Sequence, residues 1–153
     1  MNNIDTLNLK LENILEKIND DSMNYVANIQ FFEAEGSAGE KAENIIKKAL
    51  GSSALLGRTS TATEKEVIDE LKQGLEYAGS EGAYPNKKYV GSEKHKNEVK
   101  AILKEVRNFT STSSQIIGFW LKEGHPFYPV FWDFAFIIEQ GKNAYVFIGS
   151  SSD

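Results

Sequence analysis

The chain has no cysteine, and only two histidines and three prolines among its 153 residues. Without cysteine it forms no disulfide, binds no metal through a thiolate and has no cysteine nucleophile. Its two histidines, His95 and His125, lie too far apart in sequence to form a zinc-ligand pattern.

No apolar run approaches the roughly 18 residues of a membrane span. The N-terminus lacks the basic and apolar regions of a signal peptide. We therefore expect a cytoplasmic protein that uses no metal or cofactor and does not enter a membrane.

Several catalytic and nucleotide-binding patterns are also absent. The chain contains no G-x-S-x-G elbow, no H-E-x-x-H helix, no P-loop and no G-x-G-x-x-G turn. Its length suits one domain, and its 41% hydrophobic and 25% charged residues are ordinary for a globular protein. We expect a single domain over residues 1–153, and a binding protein rather than an enzyme.

The net charge of −5 is unevenly distributed. Residues 1–83 hold eight Lys and Arg against fifteen Asp and Glu, which gives −7, whereas residues 84–107 hold seven against three, which gives +4. The basic segment is too small and too mixed with acids for a nucleic-acid footprint. Solvated helix faces are the preferred explanation of this distribution, and an acidic surface that suits a cationic protein partner is the alternative.

Apolar residues at helical spacing predict five helices in residues 1–110. Two of these helices carry a capping box, in which Ser or Thr is followed three positions later by Glu. Residues 7–11 and 25–32 also alternate as strands do; helix is preferred, and strand stays open for both. The Ser-, Thr- and Gly-rich residues 52–62 are expected to form a loop. The helices are predicted to begin at or near Ile4, Ser22, Ser37, Thr63 and Ser92.

After residue 114 the period of the apolar residues shortens to two. This predicts strands at about 115–122, 130–139 and 144–149, and their short connections imply an antiparallel meander over residues 115–149. Helices that precede strands indicate an α+β fold, with the helices packed on one face of the three-stranded sheet. The strand 130–139 is apolar on both sides, so its second side needs a loop or a partner to cover it.

The aromatic residues are concentrated near the C-terminus, where ten of seventeen lie between Phe119 and Phe147. Asp133 interrupts the apolar strand in this region. A buried carboxylate needs hydrogen bonds or a cation. Asp133 is therefore expected either to bond the 124–129 loop or to be displayed at the rim of an aromatic site.

His125 follows Glu123 in a Gly-His-Pro loop. Such a loop is usually structural, but imidazole titrates near neutrality and a carboxylate can fix its tautomer, so a relay of Glu123, His125 and Asp133 is an alternative. Aromatic anchors beside carboxylates also suit a protein-binding surface. The residues predicted to form the binding site are Trp120, Glu123, His125, Tyr128, Trp132 and Asp133.

The last forty or so residues contain Glu-Gly-His-Pro, Phe-Trp-Asp-Phe-Ala-Phe and Ile-Gly-Ser-Ser-Ser-Asp. This ending resembles small acidic bacterial immunity proteins of toxin–immunity competition systems. The resemblance implies a cytoplasmic, non-enzymatic protein that binds a cognate toxin domain, for which a basic domain is expected, and blocks its active site. Two alternatives stay open. One is a small-molecule enzyme or sensor that uses Glu123, His125 and Asp133 beside an aromatic pocket, and the other is a homodimer formed through the aromatic face.

Overall fold

The computed structural model describes residues 3–153, so Met1 and Asn2 of the predicted single domain lie outside the described residues. Over this range the chain forms four helices and one five-stranded antiparallel sheet. The strand order β1-β5-β4-β3-β2 makes β5 and β4 central. The helices are α1 (Asn3–Asn19), α2 (Ala42–Leu50), α3 (Glu64–Glu76) and α4 (Glu93–Thr110). The strands are β1 (Val26–Ala34), β2 (Leu55–Thr61), β3 (Gln115–Glu123), β4 (Asp133–Gln140) and β5 (Asn143–Ser152).

The α+β class is confirmed, but the prediction of five helices on a three-stranded meander is wrong. The predicted second helix is β1, whereas residues 7–11 lie in α1 as preferred. Every residue of β1 pairs with β5, and Phe31 stacks on Phe147 with their ring centroids 4.0 Å apart. Residues 25–32 fit both periods, so this pairing rather than local preference selects the strand.

Residues 52–62, which were predicted to form a loop, contain the strand β2. This strand lies at the edge of the sheet and is exposed at nearly every position. A strand exposed on both sides has no apolar alternation, so its Ser-, Thr- and Gly-rich sequence resembled a loop. β4 also begins three residues later than predicted, at Asp133.

Helices cover both faces of the sheet, so the prediction of helices on one face is also wrong. The larger core cluster joins α1, α3 and α4 to one face, here called the helix side. A second cluster joins Ile45 and Ile46 of α2 to Ile137 and Val146 on the opposite face, here called the α2 side. The central strands are apolar on both sides because both sides are covered.

The capping predictions have a mixed outcome. Thr63 Oγ1 accepts a hydrogen bond from Glu66 N–H at 3.2 Å, so the predicted cap at Thr63 is confirmed. Ser92 Oγ accepts one from His95 N–H at 3.2 Å, so the helix predicted to begin at Ser92 has this residue as its cap. The predicted cap at Ser37 is wrong, because α2 begins only at Ala42 and has no side-chain cap. Among residues 3–153, no helix has the length and apolar content needed to cross a membrane.

The connection between β3 and β4, residues 124–132, folds over the α2 side. Phe127 packs there against Phe32 of β1, with ring centroids 6.4 Å apart. The end of the connection is fixed to β5, because Val130 N–H donates to the Ser151 carbonyl at 2.7 Å and Ser151 N–H donates to the Trp132 carbonyl at 3.0 Å. This loop covers part of the second apolar face.

The free edge of β1 is protected by two asparagines of α1. The Asn8 amide accepts from Phe31 N–H at 2.8 Å and donates to the Phe31 carbonyl at 2.9 Å. The Asn19 amide makes the same pair of bonds with Ala27, at 2.8 and 2.9 Å. Backbone groups that would otherwise invite another strand are thereby satisfied within the chain.

We predict that Asn8→Ala lowers the free energy of unfolding by about 1–3 kcal/mol, because it leaves one donor and one acceptor of the β1 backbone without partners. Asn13→Ala is the matched control, since Asn13 lies exposed on the same helix. Replacing it with alanine raises the helix propensity by the same amount as in Asn8→Ala. We expect Asn13→Ala to change the free energy of unfolding by less than about 0.5 kcal/mol. Urea denaturation measures both, and equal effects would show that the edge bonds contribute nothing.

Candidate functional site: a groove where the sheet divides

The ladder between β3 and β4 ends early. Its register pairs run from Gln115 opposite Glu139 to Gly118 opposite Phe136. Beyond that point β3 stays paired with β2 only, and β4 with β5 only. The two strands therefore separate, and a gap opens in the sheet.

This gap forms the floor of an open groove of about 780 Å³, here called the β3–β4 groove. Helix α3 lines one side of it, and β2 with the end of β3 lines the other. The start of β4 completes the groove. Its lining residues include Arg58, Glu66, Asp69, Glu70, Gln73, Phe119, Trp120, Asp133, Phe134 and Phe136.

The charge of the groove is predominantly negative, because four carboxylates face one guanidinium, that of Arg58. Asp69 is paired with Lys65 at 2.6 Å. Within the described residues, Glu66, Glu70 and Asp133 form no ion pair. A cluster of uncompensated carboxylates attracts cations.

The carboxylates lie close enough to influence one another. The pKa of Glu70 is raised, first by partial burial and then by the negative charges of Asp133, Glu66 and Asp69. Repulsion of this kind is relieved when a cation enters. The α3 acids were not predicted as site residues, because acids four positions apart on a helix are typical of an ordinary solvated face.

Trp120 presents its ring at the rim of the groove, with 53% of the residue exposed. The ring lies over Gly57 of β2, where an added Cβ would come within 2.1 Å of ring carbon Cε3. The glycine thus leaves space for the indole beside the groove. An exposed indole next to carboxylates is suited to stacking on an alkyl or guanidinium group of a partner.

The structure brings only two of the six predicted binding residues into this groove, Trp120 and Asp133. Asp133 is exposed rather than buried in the strand. Glu123 lies exposed at the end of β3, opposite Leu55. Tyr128 is 73% exposed on the 124–132 loop.

Trp132 belongs largely to the core on the helix side. Its Nε1–H donates to the buried Tyr25 hydroxyl at 2.9 Å, and burial raises the pKa of Tyr25 to about 12. Its ring lies against Gly74 of α3, where an added Cβ would come within 2.9 Å of it. Gly74, which costs the helix about 1 kcal/mol relative to alanine, leaves room for this indole.

His125 is held by the backbone of its own loop. Its Nδ1 accepts a hydrogen bond from Phe127 N–H at 2.9 Å, and its Nε2 is buried without a partner among the described residues. Neither nitrogen bonds a carboxylate, so the relay of Glu123, His125 and Asp133 is not formed. Burial lowers the pKa of His125, and this is opposed by the hydrogen bond to the Phe127 carbonyl, whose oxygen lies 3.0 Å from Nδ1, and by the charge of Asp133.

Within residues 3–153, no group of three or more His, Asp or Glu side chains is arranged to hold a metal ion. The carboxylates of the groove therefore form a charged surface along α3 and β4 rather than a converging set of ligands.

Comparison with known proteins identifies no family. No protein-family model matches the sequence, and no curated protein matches it. Among solved structures, the chain is similar to the crystal structure of citrus MAF1, with 12% identity over 98% of each chain and a TM-score of 0.31. A TM-score this low carries no inference about fold or function.

The two tryptophans are expected to respond differently to replacement. Trp132→Ala should lower the free energy of unfolding by about 3 kcal/mol, because it leaves a cavity below α3 and removes the donor to Tyr25. Trp120→Ala should change it by less than about 1 kcal/mol, because this side chain is half exposed. Urea denaturation followed by circular dichroism tests both. A larger loss of unfolding free energy for Trp120→Ala than for Trp132→Ala would contradict the placement of Trp132 in the core and of Trp120 at the rim of the groove.

A pH titration of stability tests the environment of His125. Because its pKa is lower in the folded than in the unfolded state, burial of the neutral ring stabilises the fold fully above the unfolded pKa of about 6.5. That contribution is lost as the pH falls from there through the folded pKa. His125→Asn keeps an acceptor for Phe127 N–H but does not titrate. We expect wild type to lose stability relative to this variant as the pH falls below about 6.5. A pH-independent difference would contradict the burial of this ring.

Proposed function

We propose that this chain is a non-enzymatic protein inhibitor of the immunity-protein kind, which neutralises a cognate bacterial toxin by binding a basic surface of it in the β3–β4 groove. The observation that carries the proposal is the set of unpaired carboxylates, Glu66, Glu70 and Asp133, beside an exposed indole in one groove.

The charges of the groove support a cationic protein as the partner. Lys and Arg side chains of the partner would lower the mutual repulsion of Glu66, Glu70 and Asp133. Complementary charge also accelerates encounter and disfavours wrong partners. The exposed Trp120 offers the kind of aromatic anchor that is enriched at the energetic centre of protein interfaces.

The chemistry of the groove suits recognition better than catalysis. Its carboxylates make no hydrogen bond to a histidine or a hydroxyl group among the described residues, so no such side chain is placed to exchange a proton with them. His125, the base of the alternative relay, has its Nδ1 occupied by Phe127. These features favour binding by charge and shape.

Affinity capture followed by a neutralisation assay tests the function. The tagged chain would be used to capture partners from bacteria that encode it, and mass spectrometry would identify them. The captured domain would then be expressed alone and together with this chain. We expect the domain to arrest growth when alone and to be harmless when co-expressed. A captured domain whose toxicity is unchanged by this chain would contradict the proposal.

Neutralising the groove acids tests the site. In the double variant Glu66→Gln and Glu70→Gln, the side chains keep their shape and lose their charge, so partner affinity should fall about tenfold or more. The control is Glu12→Gln with Glu16→Gln, which has the same four-residue spacing on an exposed face of α1. Calorimetric titration against the captured domain measures both, and raised salt should weaken wild-type binding. Equal losses in the two variants would place the interface elsewhere.

A further inference from the structure

A second groove lies along the free edge of β1, at the opposite end of the sheet from β2. It has a volume of about 640 Å³ and is here called the α1–β1 groove. Helix α1 lines one side of it and β1 the other. It shares no lining residue with the β3–β4 groove, so it is separate from the proposed toxin-binding surface.

The backbone groups of Ile29 face the α1–β1 groove. The Asn19 amide bonds both backbone groups of Ala27 at the free edge of β1. The Asn8 amide does the same for Phe31. Successive residues of an antiparallel strand turn their N–H and C=O groups to alternate sides. Ile29 lies midway between Ala27 and Phe31, so it turns its backbone groups to the same free edge.

The hydrogen bonds of β5 give the same orientation independently. Ser151 lies opposite Ala27 in the register of β1 and β5. Its N–H donates to the Trp132 carbonyl at 3.0 Å, on the other side of β5, so it is not directed at Ala27. Two residues further along the ladder, Ile29 and Gly149 are therefore a pair with no hydrogen bond between them.

Ile29 is the exception to the protection of the β1 edge. Its N–H and C=O have no hydrogen-bond partner among the described residues, although only 5% of the residue is exposed. Buried backbone groups of folded proteins are almost always paired. An unpaired donor and acceptor of one buried residue, lining an open groove, form a site for a ligand that supplies the complementary pair of groups.

The geometry of this donor and acceptor selects a primary carboxamide. Asn8 and Asn19 show how such a group binds, because each amide accepts from the N–H and donates to the C=O of one residue. A trans peptide group directs its N–H and C=O to opposite sides. A guanidinium has only donors, and a carboxylate has only acceptors. A strand added along this edge would have to displace both asparagine amides.

The charge of the groove selects a cationic ligand. Glu12, Glu16 and Asp20 line it and form no ion pair within the described residues, and no Lys or Arg lies among its lining residues. Uncompensated carboxylates attract cations. We infer that the α1–β1 groove binds a small primary carboxamide that carries an ammonium group, with the carboxamide on the backbone of Ile29 and the ammonium beside Glu12 and Glu16.

Lysinamide and lysine methyl ester form a matched pair of probes. Both carry the same two ammonium groups and a carbonyl acceptor, but the ester lacks the N–H that would donate to the Ile29 carbonyl. Each is titrated into the ¹⁵N-labelled protein, and the shift of the Ile29 amide resonance gives both the site and the affinity. We expect lysinamide to bind there and the ester to bind about tenfold more weakly.

Three results would overturn the inference. They are equal binding of the ester at Ile29, shifts that leave the Ile29 amide unchanged, and no saturable shift of this amide at millimolar lysinamide. The first or third would mean that water suffices for Ile29. The second would place the dication elsewhere on the acidic surface.

Two double variants separate the charges of the two grooves. Glu12→Gln with Glu16→Gln should weaken lysinamide binding at Ile29 about tenfold, because it removes the carboxylates beside the ammonium group. Glu66→Gln with Glu70→Gln has the same spacing on α3 and should leave this binding unchanged. Equal losses in the two double variants would contradict the placement of the ammonium group.

A glutamine side chain of a protein offers the same carboxamide as a free amide. The peptide Lys-Gln-Lys, with an acetyl group and an N-methylamide at its ends, has its primary carboxamide on glutamine alone. Tighter binding of the peptide than of lysinamide at Ile29 would support the site and identify a protein as the source of the carboxamide. Tighter binding of lysinamide would support the site and identify a free small molecule.

Discussion

The early end of the β3–β4 ladder, at Gly118 and Phe136, is the constraint from which the candidate site follows. Each strand remains paired on its outer side after the two separate, β3 with β2 and β4 with β5. Neither strand therefore loses its place in the sheet, and the cost of the gap is confined to a few inward-facing backbone groups. The groove, its floor and its partly exposed aromatic residues follow from this separation.

Contacts on the two sides of the gap hold the strands apart. The residues that precede β4 are bonded to Ser151 of β5, and the Trp132 indole is fixed between Gly74 and the Tyr25 hydroxyl. At the other side, Gly124 at the end of β3 lies against Ala54, where an added Cβ would come within 2.5 Å of the Ala54 Cα. The 124–132 loop then spans the separated ends and covers part of the α2 side. One division of the sheet thus accounts for both the open groove and the loop that covers part of the α2 side.

Local signals predicted those parts of the fold that depend on local interactions. The apolar stripes of α1, α3 and α4 and the caps at Thr63 and Ser92 could be read directly, because each depends on spacing within a few residues. The position of residues 26–34 could not, since their pattern fits both helix and strand and only pairing with β5 selects one. The edge strand β2 gave no alternation to detect, because it is exposed on both sides.

The candidate site was only partly predictable for a related reason. Asp133 was recognisable because a carboxylate in an apolar strand is unusual, and Trp120 because an aromatic anchor beside carboxylates suits a binding surface. Glu66 and Glu70 were not, because their role depends on α3 lying beside a gap between strands that are distant in sequence. His125 and Trp132 were recognised as unusual residues, but the structure uses the first to hold its loop and the second to anchor β4.

Native-state amide hydrogen exchange of the free protein tests the division of the sheet most directly. The Ala135 N–H faces the gap beyond the last ladder pair, whereas Ile137 lies two residues away in the paired part of the same strand. The account predicts rapid exchange for the amide of Ala135 and slow exchange for that of Ile137. Slow exchange at both positions would mean that β3 and β4 stay paired beyond Gly118 and Phe136 in solution, which would contradict the groove.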